Sequence, residues 1–146
     1  MITPESIQAR DLAEQTALNF FIYMKSQRVD DLVNLFLADA VQEQPFVFPG
    51  QKPALVGHKD IRQNYEMALG KRHSHTFDIL ALHRTQEPDC VIVEARGTSI
   101  LGENGHVYDN RYVAIFHVQG DRIANLRLYF DPLVAQNAFA KIRGLA

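Results

Sequence analysis

The stretch YVAIFHVQGDRIANLRLYFDP, residues 112–132, has the pattern of two strands joined by a tight turn. Apolar and polar residues alternate on both sides of Gln119-Gly120-Asp121, which is typical of a β-hairpin. Asp131 follows the second strand and precedes Pro132, so it is either a helix N-cap or an acid at the mouth of a pocket. Aspartate before a proline at the first helical position is a common helix start, and the pattern favours the cap.

The same period of two extends backwards to residue 73, whereas the chain before it has helical periodicity. Helices are predicted from Thr3-Pro4 to Met24, over a shorter segment at 32–36, and from Gly57 to Gly70. AVQEQPFVF is strand-like, PGQKP is a loop, and a last helix covers 132–143. This order predicts one α+β domain over 1–146, with helices on the concave face of an antiparallel meander. The predicted strands of the meander are 73–84, 90–101, 106–118 and 122–130.

Composition excludes several classes of protein. The chain has 47% hydrophobic and 22% charged residues and a net charge of −2, so it lacks the basic surface of a nucleic-acid-binding protein. Its longest apolar run, around ALNFFIYM, is too short to span a bilayer, and charged residues occupy the N-terminus. The single cysteine, Cys90, is expected to be buried in a strand. We expect a cytoplasmic protein with neither nucleic acid nor membrane as a partner.

Three phrases, LVNLFLADAVQEQP, LVGHKDIRQNY and IFHVQGDRIANLRLYFDP, resemble those of the nuclear-transport-factor-2-like superfamily. Within it, the chain is most similar to the SnoaL-like and ketosteroid-isomerase-like branch. The resemblance covers nearly the whole chain and implies a cystatin-like, cone-shaped sheet wrapped by helices. It also implies a deep pocket for a small hydrophobic molecule, a homodimer formed through the sheet, and no cofactor. Function does not follow from it, since this fold serves enzymes and binding modules alike.

The catalytic residues of two known enzyme groups do not carry over. At the positions where ketosteroid isomerases have a tyrosine and two aspartates, the resemblance places Phe20, Gln44 and Ala114. A carboxylate base and an oxyanion donor are therefore missing, and steroid-type proton transfer is not expected.

Limonene-epoxide-hydrolase-like members use an arginine and two aspartates. The arginine is matched by Arg96, but Thr98 and Leu128 replace the aspartates. Water activation between two carboxylates is therefore not expected either.

Strand periodicity places Glu94, Arg96 and Thr98 on one face of their strand. A three-residue loop at 103–105 would set Arg96 opposite Tyr112 and Thr98 opposite Asn110. A similar loop at 119–121 would set Tyr112 opposite Leu128. The face is either solvent-exposed or inside the cone, and the resemblance favours the inside. There Arg96 would bind an anionic or carbonyl oxygen, and Glu94 would be the nearest acid or base.

His75 is the third catalytic candidate, because its near-neutral pKa suits proton transfer, although a buried structural histidine is an equal interpretation. His73 shares its face, but a metal site would need a third ligand, and we predict none. The remaining candidates are expected to line the pocket and contact the ligand: Gln44, Phe48, Tyr65, Phe77, Thr98, Asn110, Tyr112 and Leu128.

Two functions remain open. One is a cofactor-free isomerase, cyclase, dehydratase or hydrolase acting on a small, hydrophobic, oxygenated compound. The other is a non-catalytic ligand-binding or dimeric assembly module of the same fold. Exposure of Glu94 and Arg96 to bulk solvent would remove the basis of the first.

Overall fold

The computed structural model describes residues 1–142 and contains a curved six-stranded sheet with four α-helices, the predicted α+β fold. None of these helices has the length and apolar character needed to cross a membrane. The helices are α1 (Leu12–Lys25), α2 (Val29–Asn34), α3 (Gly57–Leu69) and α4 (Pro132–Ile142). The strands are β1 (Phe36–Glu43), β2 (Ala54–Val56), β3 (Arg72–Arg84), β4 (Cys90–Leu101), β5 (His106–Gln119) and β6 (Arg122–Phe130).

The first helix begins later than the sequence predicts. Pro4–Ser6 forms only a short 3-10 turn, and α1 starts after Asp11, whose side chain accepts a hydrogen bond from the Glu14 backbone N–H at 3.0 Å. The Glu14 carboxylate is buried and pairs with Arg10 at 2.8 Å and Arg84 at 3.0 Å. An aspartate cap is a stronger helix start than a proline alone, which explains the difference.

The sheet has the order β2-β1-β6-β5-β4-β3. The four long strands from β3 to β6 form the predicted antiparallel meander, and their bounds agree with the prediction to within a residue. β1, which begins at Phe36, pairs parallel with β6 and so extends the sheet beyond the meander. The short strand β2 lies on the far edge and was not predicted.

The β4–β5 hairpin has a different register from the predicted one. Its loop contains four residues, 102–105, and Leu101 pairs with His106. Gly102 leaves the ladder because its φ is +66° and its N–H donates to the Lys71 carbonyl at 2.9 Å. Because successive residues of a strand point to opposite faces, a shift of one residue changes which side chains of the two strands share a face. Arg96 therefore lies opposite Arg111 rather than Tyr112.

The β5–β6 hairpin also departs in detail. Gln119 pairs with Arg122 across the two residues Gly120 and Asp121, and Gly120 has a φ of +63°. A register shift beyond Val118 acts as a β-bulge, after which Tyr112 lies opposite Phe130 instead of Leu128.

The helix after β6 confirms the N-cap interpretation of Asp131. Its Oδ1 accepts hydrogen bonds from the backbone N–H groups of Leu133 at 2.9 Å and Val134 at 3.4 Å. Asp131 is therefore engaged with the first turn of α4, and it does not line the large cavity in the cone.

The core lies between the concave face of the sheet and helices α1 to α3. The odd-numbered residues of β4, including Val91, Val93 and Ala95, are fully buried on this face. Gly97 is required there, because a Cβ atom would lie 2.8 Å from the ring of Phe77 and 3.0 Å from that of Tyr112. The missing side chain leaves room for both rings beneath the cavity described next.

Candidate functional site: a polar-based cavity in the cone

A cavity of about 520 Å³ opens between α3, α4, the 48–51 loop and the concave face of the sheet. Its volume falls within the range of small-molecule sites. Its wall is mainly apolar and aromatic, with these apolar side chains: Met24, Phe48, Leu128, Phe130, Ala135 and Phe139. A small set of polar side chains converges on the same space.

One polar group is a chain of neutral side chains. The Tyr65 hydroxyl donates to Gln42 Oε1 at 2.6 Å, and Gln42 Nε2 contacts Gln44 Oε1 at 3.3 Å. Gln44 in turn donates to the Lys52 carbonyl at 2.8 Å. The side chains of Tyr65, Gln42 and Gln44 are buried, and each is held by a hydrogen bond. They can orient a polar ligand but offer no carboxylate.

A second polar group surrounds Arg72, which is 7% exposed at the start of β3. Its Nε donates to the Ala68 carbonyl at 2.9 Å, and its Nη1 lies 3.1 Å from His75 Nε2. Its guanidinium carbon lies 5.2 Å from the ring centre of Tyr108, a cation–π distance. A guanidinium has no acceptor, so His75 accepts through Nε2 and carries its proton on Nδ1.

A third group joins β5 to α4. Tyr112 and Tyr108 approach each other through their hydroxyls at 3.4 Å, and Asn110 Nδ2 donates to the Tyr108 hydroxyl at 2.9 Å. Asn110 also donates to the Asp131 carbonyl and accepts from the Asp131 N–H. Asn110 therefore positions both Tyr108 and the start of α4.

Burial controls the protonation of these groups. It raises the pKa of Tyr65 and that of Tyr112 above the usual range, so both hydroxyls remain donors at neutral pH. Burial, together with the nearby positive charge of Arg72, lowers the pKa of His75 to about 3. A hydrogen bond with the Met24 backbone acts in the opposite direction and is the smaller effect. Among the described residues lining the cavity, the only carboxylate is that of Glu66, which is exposed at the rim. The interior thus has one fixed cation, neutral donors and no base that works at neutral pH.

Of the candidates from the sequence, five side chains line the cavity: Gln44, Phe48, Tyr65, Tyr112 and Leu128. His75, Phe77 and Asn110 are buried beside it, and the rings of His75 and Phe77 lie 4.5 Å apart. His75 is buried as a neutral acceptor, which agrees with the structural interpretation of this residue.

The expected placement of Glu94, Arg96 and Thr98 inside the cone is wrong. They lie on the outer face of β4, where Arg96 forms a bidentate pair with Asp109. Glu94 contacts His83 at 2.6 Å, and the Glu94 side chain is 45% exposed. The even-numbered residues of β4 point outward because the odd-numbered ones pack on the helices, and the shifted hairpin register separates Arg96 from Tyr112.

Sequence reasoning missed Arg72, Tyr108 and Gln42. The spacing could have revealed two of them, since Tyr108 shares the parity of Asn110 and Tyr112, and Gln42 that of Gln44. Arg72 precedes a register shift in β3, so simple alternation does not indicate its face. Its burial depends on the contact with α3.

Metal-ligand geometry lies elsewhere in the fold. His73 is exposed while His75 is buried, so the two do not form a pair. Within residues 1–142, one group of three potential ligands, Glu87, Cys90 and His117, has its ligand atoms within 4.8 Å of one another. Cys90 and His117 pair across β4 and β5 on the outer face, away from the cavity.

A family model described as the SnoaL-like domain matches residues 17–126, a span that includes the cavity floor and most of the sheet. The chain belongs to the SnoaL-like family. It is 25% identical over 125 residues to the uncharacterised protein YesE of Bacillus subtilis (strain 168), covering 86% of this chain and 85% of that protein.

Solved structures agree with this assignment. A candidate isomerase from Bacillus subtilis superposes with a TM-score of 0.80 at 25% identity, covering 92% of this chain and 94% of that one. A candidate SnoaL-like polyketide cyclase from Shewanella putrefaciens CN-32 gives a TM-score of 0.70 at 13% identity, covering 91% and 99%. At that identity the second likeness concerns the fold alone.

Proposed function

We propose that this SnoaL-like protein binds a small, hydrophobic, oxygen-containing molecule in the cavity. The observation that carries the proposal is the 520 Å³ apolar space with polar side chains gathered on its floor. Apolar walls supply affinity through burial, and a few fixed donors set the orientation of the ligand. Arg72 and the Tyr108 hydroxyl supply such donors, since the hydroxyl accepts hydrogen bonds from Asn110 and Tyr112 and keeps its own O–H for a ligand.

Cofactor-free isomerisation or cyclisation is the second candidate. The neighbour described as a candidate isomerase supports it, as do donors able to polarise a carbonyl oxygen. The outward position of Glu94 and Arg96 removes the acid–base group on which the sequence hypothesis relied. Any chemistry here would depend on oxyanion stabilisation, with the proton moved by the substrate or by water. Binding is therefore the better supported function.

Compounds that fit the cavity should raise the melting temperature, because they bind the folded state and not the unfolded chain. A thermal-shift screen of cyclic ketones, terpenoid alcohols and aromatic polyketide fragments tests this. Leu128→Trp should abolish the shift for each binding compound by filling the cavity, while Val107→Trp, on an exposed outward position, should leave it unchanged.

Two results would contradict the binding proposal. One is a screen in which no compound raises the melting temperature of the wild-type protein. The other is a shift that persists undiminished in Leu128→Trp, since the ligand would then occupy a different place.

The outer face of the sheet supports the expected homodimer, which we also propose. It presents apolar side chains between its charged ones: Leu80, Ile92, Val113 and Tyr129. Sedimentation velocity at micromolar concentration should give a dimer, and Val113→Lys should shift it to monomer by placing a charge in the apolar contact. Leu133→Lys, on exposed α4, is the matched control. A wild-type monomer at that concentration would exclude this proposal.

A further inference from the structure

Arg72 is a buried cation without a carboxylate partner. Among residues 1–141, the other buried charge, Glu14, pairs with Arg10 and Arg84, but no recorded ion pair includes Arg72. Burying a charge is costly unless it is paired, and proteins pair such groups almost without exception. An arginine left in this state next to a cavity indicates a partner that arrives from outside.

The contacts of Arg72 leave donors free for that partner. The guanidinium carries five N–H groups, and its contacts involve Nε with Ala68, Nη1 with His75 and a side-chain hydrogen bond with the Tyr112 hydroxyl. All these partners are neutral, since His75 is uncharged at neutral pH. They hold the guanidinium in place without neutralising it.

The surroundings reinforce a positive interior. Arg72 and the hydroxyls of Tyr108 and Tyr112 are all on the cavity wall, and the Tyr108 ring packs against the guanidinium. The one lining carboxylate among the described residues, Glu66, is at the rim and lies 3.6 Å from the guanidinium of Arg62. An anionic oxygen would thus find a charge and hydroxyl donors at the floor and no opposing negative charge nearby.

We propose that the ligand of this cavity is an organic anion, an apolar ring body bearing one carboxylate or enolate oxygen group that binds Arg72 with support from the Tyr108 hydroxyl, whose own O–H is not used in a recorded hydrogen bond. The proposal rests on the proposed function, since it names the class of molecule that the cavity takes. The anionic group replaces the missing carboxylate partner of Arg72, and the apolar body fills the wall formed by Phe48, Leu128 and Phe139. A charge-assisted pair with a fork-shaped guanidinium is among the stronger polar contacts in proteins.

The direct test uses probes of matched size and different charge. Isothermal titration at pH 7 compares 2-naphthoate with 2-naphthamide, and 2-hydroxy-1,4-naphthoquinone, an enolate at this pH, with its neutral 2-methoxy ether. At least one anion should bind about tenfold or more tightly than its neutral counterpart, the difference expected of a charged hydrogen bond. The preferred pair shows whether the anionic group is a carboxylate or an enolate.

Variants locate the effect. Arg72→Gln should abolish the preference for the anion, raising the Kd of the anion about tenfold or more and that of the neutral probe by much less. Arg72→Lys should retain part of the preference, because it keeps the charge and loses the fork. Arg96→Gln, on the outer face of the sheet, is the matched control and should bind as the wild type does.

The outcomes separate the two proposals. Neutral probes that bind as well as the anions would overturn the anion proposal and leave the binding function intact. Failure of both anionic and neutral probes to bind would count against both. If Arg72→Gln does not fold, the preference of the wild-type protein for the anion and the affinities of Arg72→Lys still test the proposal. A preference for the anion that is unchanged in Arg72→Lys and reduced in Arg96→Gln would overturn the assignment to Arg72.

Discussion

Replacing Phe20 with alanine should lower the free energy of unfolding by about 3–5 kcal/mol, the usual cost of deleting a fully buried aromatic ring. Phe20 is completely buried, and its ring centre lies 5.1 Å from that of Phe21 and 5.4 Å from that of Phe116. It also makes edge contacts with Phe36 and Tyr65. The substitution would therefore leave a cavity where α1, α3 and the sheet meet.

Urea denaturation at pH 7.5, followed by circular dichroism, measures this loss. Leu12→Ala is the matched control, because Leu12 belongs to the same helix and is 54% exposed. Its cost should be within about 0.5 kcal/mol. A loss below about 1 kcal/mol for Phe20→Ala would contradict the central role of this ring, since even mild core truncations reach that size.

Acidification from pH 6.5 to 4.5 should cost about 2 kcal/mol of stability through His75 alone. Its pKa falls from an ordinary 6.5 to about 3 on folding, mainly by burial and further by the Arg72 charge. In this window His75 becomes protonated in the unfolded chain but stays neutral in the folded protein. Its contribution to the free energy of unfolding is therefore present above pH 6.5 and falls as the pH drops. One such proton changes the free energy by about 1.4 kcal/mol per pH unit.

Urea titrations at half-unit pH intervals measure the slope. His75→Gln should reduce the slope of the free energy of unfolding between pH 6.5 and 4.5, because glutamine does not titrate. His73→Gln, at an exposed position, should keep the wild-type slope. The pKa of Glu14 is lowered in the folded protein, so its contribution disappears only below about pH 4.5 and stays outside the window. An equal slope in wild type and His75→Gln would exclude His75 as its source.

The tendency of each segment to form a helix or strand could be predicted from the chain, because hydrophobic periodicity and caps act over a few residues. The bounds of α3, β4 and β6, and the N-cap at Asp131, follow from such local signals. The start of α1 was missed because two start signals, Pro4 and Asp11, compete there, and the buried ion pairs of Glu14 favour the second.

The candidate site was only partly predictable. Residues on long, regular strands or helices, such as Tyr65, Tyr112 and Leu128, line the cavity as expected. The supposed catalytic group on β4 depended on which face of the strand is covered. Alternation defines two faces but does not say which one the helices cover, and similarity to a family gave the wrong answer for Arg96.

The sequence by itself thus determined the α+β order and the meander. Only the tertiary structure decided the side of β4 that faces the cone, since this depends on which face the helices cover. It also decided the register of β4 against β5, where Gly102 leaves the ladder and its N–H donates to the Lys71 carbonyl. It also decided the state of Arg72. Burial without a carboxylate partner results from packing between α3, β3 and β5, a non-local arrangement that the residue type alone does not reveal.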